Sequence, residues 1–163
     1  MKRLIIRYAL YGSSVSIALG LLNWFVLAPI SVGLSQAVGY LSIIASLFCI
    51  PLGLKYFRDK LNSGSLTFKE GFRIGMGITL VASAILFLYS LLFFVIAGSD
   101  FTEWREAGMT AEGQAEMTNM PDYIMSPLFQ AVIMFVTVFL IGFIINLISI
   151  FVLKSNPIQA QQP

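Results

Sequence analysis

Long uncharged tracts alternate with polar segments along the chain, and the first tract covers residues 8–54. As one helix, that tract would stretch roughly 70 Å at about 1.5 Å per residue. A hydrocarbon core is only about 30 Å thick, so the tract must cross it twice. The turn between the two crossings is marked by Pro29, Ser31, Gly33 and Ser35.

The pattern predicts an all-α, polytopic membrane protein with four transmembrane helices in a single domain, residues 1–154. The predicted spans are residues 8–29, 36–54, 70–98 and 127–153. Residues 55–69 form one predicted connecting loop, and the acidic residues 99–126 form another, with a short helix or ordered turn. The polar tail, residues 155–163, is predicted to be disordered.

Local signals mark several of these boundaries. Asn62, Ser63 and Gly64 indicate a turn. Thr67 and Glu70 have the spacing of a capping box, which predicts a helix start just after Thr67. Ser126 as N-cap and Pro127 at the first helical position predict the start of the last span. Pro51 should kink or end the second span.

The composition agrees with a membrane protein, because 58% of the residues are hydrophobic and only 11% are charged. Soluble domains have typically about 25% charged residues. The chain has no histidine, the commonest metal ligand. Its single cysteine, Cys49, has no intrachain partner and is interpreted as a small buried hydrophobe.

The distribution of basic residues predicts the orientation, because Lys and Arg of short loops stay on the cytoplasmic side. Arg105 alone would lie outside if both termini were cytoplasmic. We therefore expect an N-in, C-in, multi-pass protein of the bacterial inner membrane. The basic residues on the inner side would be Lys2, Arg3, Arg7, Lys55, Arg58, Lys60, Lys69, Arg73 and Lys154.

The basic loop allows two interpretations. Its cations can anchor helix ends and meet anionic headgroups at the cytoplasmic face, at about 1 kcal/mol per residue near the surface. Alternatively, they can dock a cytosolic partner or a phosphorylated ligand. The candidate contact residues are Lys55, Arg58, Lys60, Lys69 and Arg73. A nucleic-acid surface is not expected, because these residues flank spans as topology requires.

Small residues recur every four positions in the predicted spans, which places them on one face of each helix. Spans associate closely over such residues. The stripes pack within one bundle, or one of them, most plausibly Gly71 with Gly75, faces a membrane-protein partner or a second copy. The candidate interface residues are Gly12, Ser16, Gly20, Gly71, Gly75, Thr79, Ser83, Gly142 and Asn146. A similar stripe in the second span comprises Ala45, Cys49 and Gly53.

Few residues of the predicted spans could bind a ligand or take part in a reaction. Asn23 and Asn146 are the most polar residues within the spans, and we interpret them as helix–helix glue, or alternatively as the lining of a polar substrate path. The predicted hydrocarbon core has no ionisable carboxylate, amine or imidazole, which argues against a proton-coupled transporter. No catalytic, cofactor-binding or metal-binding residue is predicted, because neither metal-ligand spacing nor a phosphate loop is present.

The carboxylates and the methionines of the predicted outer segment are two groups that could have a more specific role. The acidic segment contains Glu103, Glu106, Glu112 and Glu116 and is interpreted as a solvated loop. The methionines of this region suit interfacial packing, although a soft ion such as Cu(I) is the alternative. They are Met109, Met117, Met120 and Met125.

The segment KYFRDKLNSGSLTFKEGFRIG, residues 55–75, resembles the bacterial family called domain of unknown function 4199. The basic N-terminal cluster, YGSS early in the first span and the four spans support the resemblance. It implies a membrane location and four spans, and it implies neither a reaction nor an active site.

These observations favour a non-catalytic accessory or scaffold subunit of a membrane complex. The first alternative is a small oligomeric pore or carrier, which requires a continuous polar cavity near Asn23, Thr79, Ser83 or Asn146. The second is an enzyme acting on lipid headgroups, which requires Asp59, Glu70 or the outer carboxylates to converge in a cleft.

Overall fold

A computed structural model describes residues 1–109 and 121–154 of the chain. Helices make up most of this part, and it contains no strand. We number the α-helices as α1 Lys2–Leu22, α2 Val32–Leu47, α3 Cys49–Tyr56, α4 Phe68–Ala107, α5 Asp122–Met125 and α6 Pro127–Leu153. Two π-helical turns, Asn23–Leu27 and Phe57–Leu61, continue α1 and α3.

Four helical stretches of the described chain are long and apolar enough to cross a membrane. They are Lys2–Leu27, Val32–Leu61, Phe68–Ala107 and Pro127–Leu153. The predicted all-α fold with four transmembrane helices is therefore confirmed.

The second span is longer than the predicted 36–54, because Pro51 bends the helix without ending it. The bend lies at Phe48 (φ −61°, ψ −14°), between α2 and α3, and helical structure continues to Leu61. Proline removes a single helical N–H donor, so the turns beyond it can still form. The predicted loop 55–69 is therefore helical in its first part.

The third span also extends beyond its predicted end. We expected a connecting loop from residue 99, but α4 continues to Ala107 after a kink at Ala97 (φ −114°, ψ 20°). Gly98 and Ser99 follow the kink, and helices often bend at such a pair. Just after the kink, the Thr102 hydroxyl donates to the Gly98 carbonyl one turn back along α4, at 2.8 Å. The short helix that the sequence allows in this segment is thus a continuation of α4 to Ala107. Residues 110–120 lie outside the described chain, as does the predicted disordered tail.

The predicted boundary signals between α3 and α4 are present. Ser63 and Gly64 have positive φ values of 50° and 81°, as the turn requires. The Glu70 carboxylate accepts from the Thr67 N–H at 3.1 Å, and the Thr67 hydroxyl accepts from the Glu70 N–H at 3.4 Å. This reciprocal pair is a capping box that starts α4. Ser126 likewise caps α6, with Pro127 in the first turn.

The chain direction alternates, so the bundle has two chemically different ends. At one end Gly71 lies against Ile150, and Gly53 lies against Tyr8. We call this the basic end, because Lys55, Arg58, Lys60, Lys69, Arg73 and Lys154 lie near it. The other end, where the Trp104 indole N–H donates to the Ala28 carbonyl, contains Asp100, Glu103 and Glu106 and is called the acidic end.

The tightest packing lies in the half of the bundle near the basic end. Helix α4 packs most extensively on α6 and next on α1. The apolar side chains with no exposed surface in this half include Ile50, Leu54, Leu66, Ile74, Ile78 and Ile150. The loop that joins α3 to α4 is thus held by a buried residue of its own, Leu66.

We expect Thr67→Ala to destabilise the bundle by about 1 kcal/mol, because the first turn of α4 loses the acceptor for its Glu70 N–H. Thermal unfolding of the purified protein in detergent, followed by circular dichroism, measures the change. Thr67→Ser is the matched control, since it keeps the hydroxyl and should stay close to wild type. An equal loss of stability in Thr67→Ala and Thr67→Ser would contradict a capping role for the Thr67 hydroxyl.

Candidate functional site

The closest helix contact lies between α4 and α6, along a stripe that we call the glycine seam: Gly71, Gly75, Thr79, Gly142 and Asn146. Gly71 faces Ile150, where an added Cβ would lie 2.9 Å from the Ile150 Cγ1. An added Cβ at Gly75 would overlap the Asn146 side-chain amide. The absence of side chains at these positions therefore allows side chains of α6 to lie against the backbone of α4.

The seam continues toward the middle of the bundle through Thr79. Its hydroxyl donates to the Gly75 carbonyl at 2.9 Å within α4. Its methyl group faces Gly142, where an added Cβ would lie 2.5 Å from the Thr79 Cγ2. Thr79, Ser83 and Asn146 are each 0% exposed. These polar side chains are thus sealed inside the contact between the helices.

Asn146 is the most polar group in the seam. Neither its amide nitrogen nor its amide oxygen has a hydrogen-bond partner among the described residues. The oxygen instead lies against the Gly75 backbone. A Cα–H group at that position makes a weak contact with an oxygen, worth about 0.5–1 kcal/mol. Asn146 therefore contributes to helix–helix contact and does not open toward a path through the bundle.

The other small-residue stripes also face helices of the same chain. An added Cβ at Gly12 would lie 2.5 Å from the Cys49 Sγ and 2.7 Å from the Ser46 carbonyl oxygen. An added Cβ at Gly20 would lie 3.5 Å from the Tyr89 hydroxyl. Ser16, between them on α1, is buried. The candidate interface residues thus lie within one bundle, and the Gly71–Gly75 pair faces α6 of its own chain.

The five candidate contact residues of the basic end are all at least partly exposed. Arg58 pairs with Asp59, with 2.6 Å between the Arg58 Nε and the Asp59 Oδ1. The Glu70 carboxylate bonds to residues near it in the sequence, because it accepts from the Thr67 N–H and also from the Asn62 amide at 3.3 Å. The cations Lys55, Lys60, Lys69 and Arg73 are exposed. The basic end therefore presents positive charge to its surroundings.

Aromatic rings hold the acidic end together. Trp24 contacts Phe93 and Trp104, with ring centroids 5.3 and 5.9 Å apart. The ring centroids of Phe101 and Trp104 are 5.5 Å apart. The Arg105 guanidinium lies over the Phe101 ring, 5.9 Å from the ring centroid. The Asn23 amide, predicted to act as glue, donates to the Ser35 carbonyl at 3.0 Å and joins α1 to α2.

Four cavities formed by the described residues all lie on the perimeter. Two are small, about 290 Å³ beside Trp24 and Trp104, and about 250 Å³ between Phe87 and Phe135. A cavity of about 550 Å³ lies at the acidic end between α4 and α6. A groove of about 530 Å³ lies between α2, α3 and α6. Thr79, Ser83 and Asn146 line none of these four cavities.

The cavity at the acidic end is the only one of the four that brings carboxylates together. Its lining includes Glu103, Arg105, Glu106, Met125 and Gln130. The Arg105 guanidinium approaches the Met125 Sδ at 2.8 Å. No group of three or more His, Cys, Asp or Glu side chains with metal-site geometry occurs in the described chain. Glu112, Glu116, Met117 and Met120 lie outside it.

The two larger cavities were not predicted from the sequence. One borders the bend between α2 and α3, and the other borders the kink at Ala97. Pro51 is the available sequence signal for the first, and the Gly98–Ser99 pair is the signal for the second. Neither signal indicates which neighbouring helix completes the cavity.

We expect Gly75→Ala to destabilise the bundle by about 1–3 kcal/mol, because the new methyl group collides with the Asn146 amide. Asn146→Ala in the same chain should recover part of the loss. Unfolding in mixed micelles, followed by circular dichroism, measures the stability of the Gly75→Ala variant and of the double variant. Gly98→Ala is the matched control on α4, since no atom lies within 4 Å of its added Cβ. Additive effects of Gly75→Ala and Asn146→Ala would contradict their contact.

Comparison with known proteins gave a match to one family model. No curated protein and no solved structure matches the chain. The family model described as Protein of unknown function (DUF4199) matches residues 7–155. That range covers well over half of the 163 residues, which confirms the resemblance noted from residues 55–75. The chain therefore belongs to the DUF4199 family.

Proposed function

We propose that this protein is a non-catalytic accessory or scaffold subunit of a membrane complex. In this proposal it lies in the bacterial inner membrane, with both termini in the cytoplasm. The observation that carries the proposal is the contrast between a dry interior and a perimeter that bears the four cavities. A bundle of this kind has its binding surfaces on the outside, where other membrane components meet it.

The glycine seam supports this proposal against a pore or carrier. A pore within one chain needs polar side chains along a wetted path. Thr79, Ser83 and Asn146 are instead fully buried between α4 and α6. Three of the four polar groups on which the pore alternative depends are thus fully buried in the described chain, and the fourth, Asn23, donates to the Ser35 carbonyl.

The charge at the two ends supports the proposed orientation. Lys55, Lys60, Lys69 and Arg73 are exposed at the basic end, where they can meet anionic headgroups or an acidic partner. Asp100, Glu103 and Glu106 lie at the opposite end. Cytoplasmic loops are enriched in Lys and Arg, so the basic end is assigned to the cytoplasm.

A headgroup-modifying enzyme is the second candidate, and one observation favours it. Glu103 and Glu106 line the same cavity at the acidic end, together with Arg105. On this alternative, Glu103→Gln or Glu106→Gln would abolish cellular function without lowering the amount of protein. The accessory proposal expects both variants to function. Asp59 and Glu70 do not contribute to such a site, because Arg58 and the capping box engage them.

The proposal is tested by placing a photo-crosslinking amino acid on one exposed face at a time in native membranes. Leu41 on α2, Leu80 on α4 and Leu140 on α6 are suitable positions, since each is more than half exposed. We expect one face to give a discrete adduct with another membrane protein. The remaining faces serve as matched controls and should give lipid adducts only.

Reconstitution into liposomes gives the complementary measurement. We expect ion flux through the purified protein to equal that of empty liposomes, because the seam is sealed. Lipid adducts at every crosslinking position would contradict the accessory role. Adducts between copies of this chain, together with measurable flux, would support the oligomeric pore instead.

A further inference from the structure

The groove between α2, α3 and α6 has an apolar wall and a charged mouth. Its apolar lining includes Ile44, Phe48, Leu52, Ile148 and Val152. Lys55 lines the same groove at the basic end. The one lining hydroxyl, on Ser149, donates to the Ile145 carbonyl at 2.6 Å. Along its length the groove thus offers hydrocarbon surface, and a cation lies at one end.

The length of the groove matches one leaflet of a bilayer. From Ile44 to Lys55 the helical rise is roughly 16 Å at 1.5 Å per residue. Half of a hydrocarbon core of about 30 Å is about 15 Å. The groove therefore extends from near the middle of the membrane to the level at which Lys55 meets the headgroups.

The charge at the mouth is available to a ligand. Lys55 is exposed, and the nearby carboxylate of Asp59 is hydrogen bonded to Arg58 at 2.6 Å. Lys154 is also exposed and directly follows Leu153, another lining residue. Lys55 thus lies where an acyl chain in the groove would end, and a second exposed cation follows a lining residue of the opposite wall.

A lipid with an anionic headgroup matches both parts of the groove. Its acyl chain can meet the apolar wall, and its phosphate can meet the cation at the mouth, Lys55.

We propose that this groove is a binding site for one anionic phospholipid of the leaflet at the basic end. One acyl chain lies between α3 and α6, and the phosphate lies beside Lys55. The site goes beyond the accessory role, because it requires neither a protein partner nor a particular orientation of the chain. Failure of the partner crosslinking experiment would leave the lipid site intact.

The test is native mass spectrometry of the full-length protein with equal amounts of phosphatidylglycerol and phosphatidylcholine of identical acyl chains. We expect one retained phosphatidylglycerol, preferred about fivefold or more, as expected for one cation near the surface. Lys55→Gln should abolish that preference, and Lys55→Arg should keep it. Lys60→Gln is the matched control, since Lys60 is exposed at the same end but does not line the groove.

A second pair of variants tests the apolar wall. Ile148→Trp fills the groove and should remove the retained lipid of either type. Leu80→Trp adds the same side chain to an exposed position of α4 outside the groove and should retain it. Circular dichroism shows whether each variant is folded.

Three outcomes would overturn the proposal. The first is equal retention of the two lipids by the wild-type protein. The second is an equal effect of Lys60→Gln and Lys55→Gln, which would indicate general charge attraction to the basic end. The third is a homodimer that Ile148→Trp dissociates, which would identify a second copy as the occupant.

Discussion

Packing of side chains onto glycine positions between α4 and α6 is the constraint on which the bundle depends. Lipid tails are as apolar as the helix surfaces, so burying apolar area gives helices little reason to associate. Packing over short distances must supply the attraction, and this requires positions without side chains. Gly75 supplies such a position, and Asn146 fills it with an amide that has no other described partner. The polar residues of the seam therefore serve the packing itself.

The buried seam contrasts with the perimeter of the bundle. Thr79, Ser83 and Asn146 have no exposed surface, whereas the four cavities formed by the described residues lie on the outside. The two ends provide different external groups. The basic end presents exposed cations, whereas aromatic rings around Trp24 and Trp104 close the acidic end. A partner or lipid would therefore meet distinct chemistry at each membrane surface.

Features of this fold that depend on residues close together in the sequence could be predicted. Features that depend on contacts between residues far apart in the sequence could not. The capping box of Thr67 and Glu70 needs three residues of separation, so spacing alone identified it. A short helix was expected within residues 99–126, but not that it continues α4 to Ala107, where Trp104 makes a distant hydrogen bond to Ala28. Four-residue spacing showed that Gly71 and Gly75 share a face, but not that the face meets α6. The grooves were missed because each needs two helices in a known arrangement.

Irregularities in the helices account for the position of the two larger cavities. Straight helices in contact along their length leave little space between them, whereas a bend separates their surfaces on one side of the contact. The bend at Phe48 and Pro51 borders the groove next to α6, and both residues line it. The kink at Ala97 borders the cavity at the acidic end, where Ile96 and Gly98 are lining residues. The same breaks that depart from ideal helix geometry thus account for the two larger cavities, one in each half of the bundle, whereas the seam between α4 and α6 keeps Thr79 and Asn146 buried.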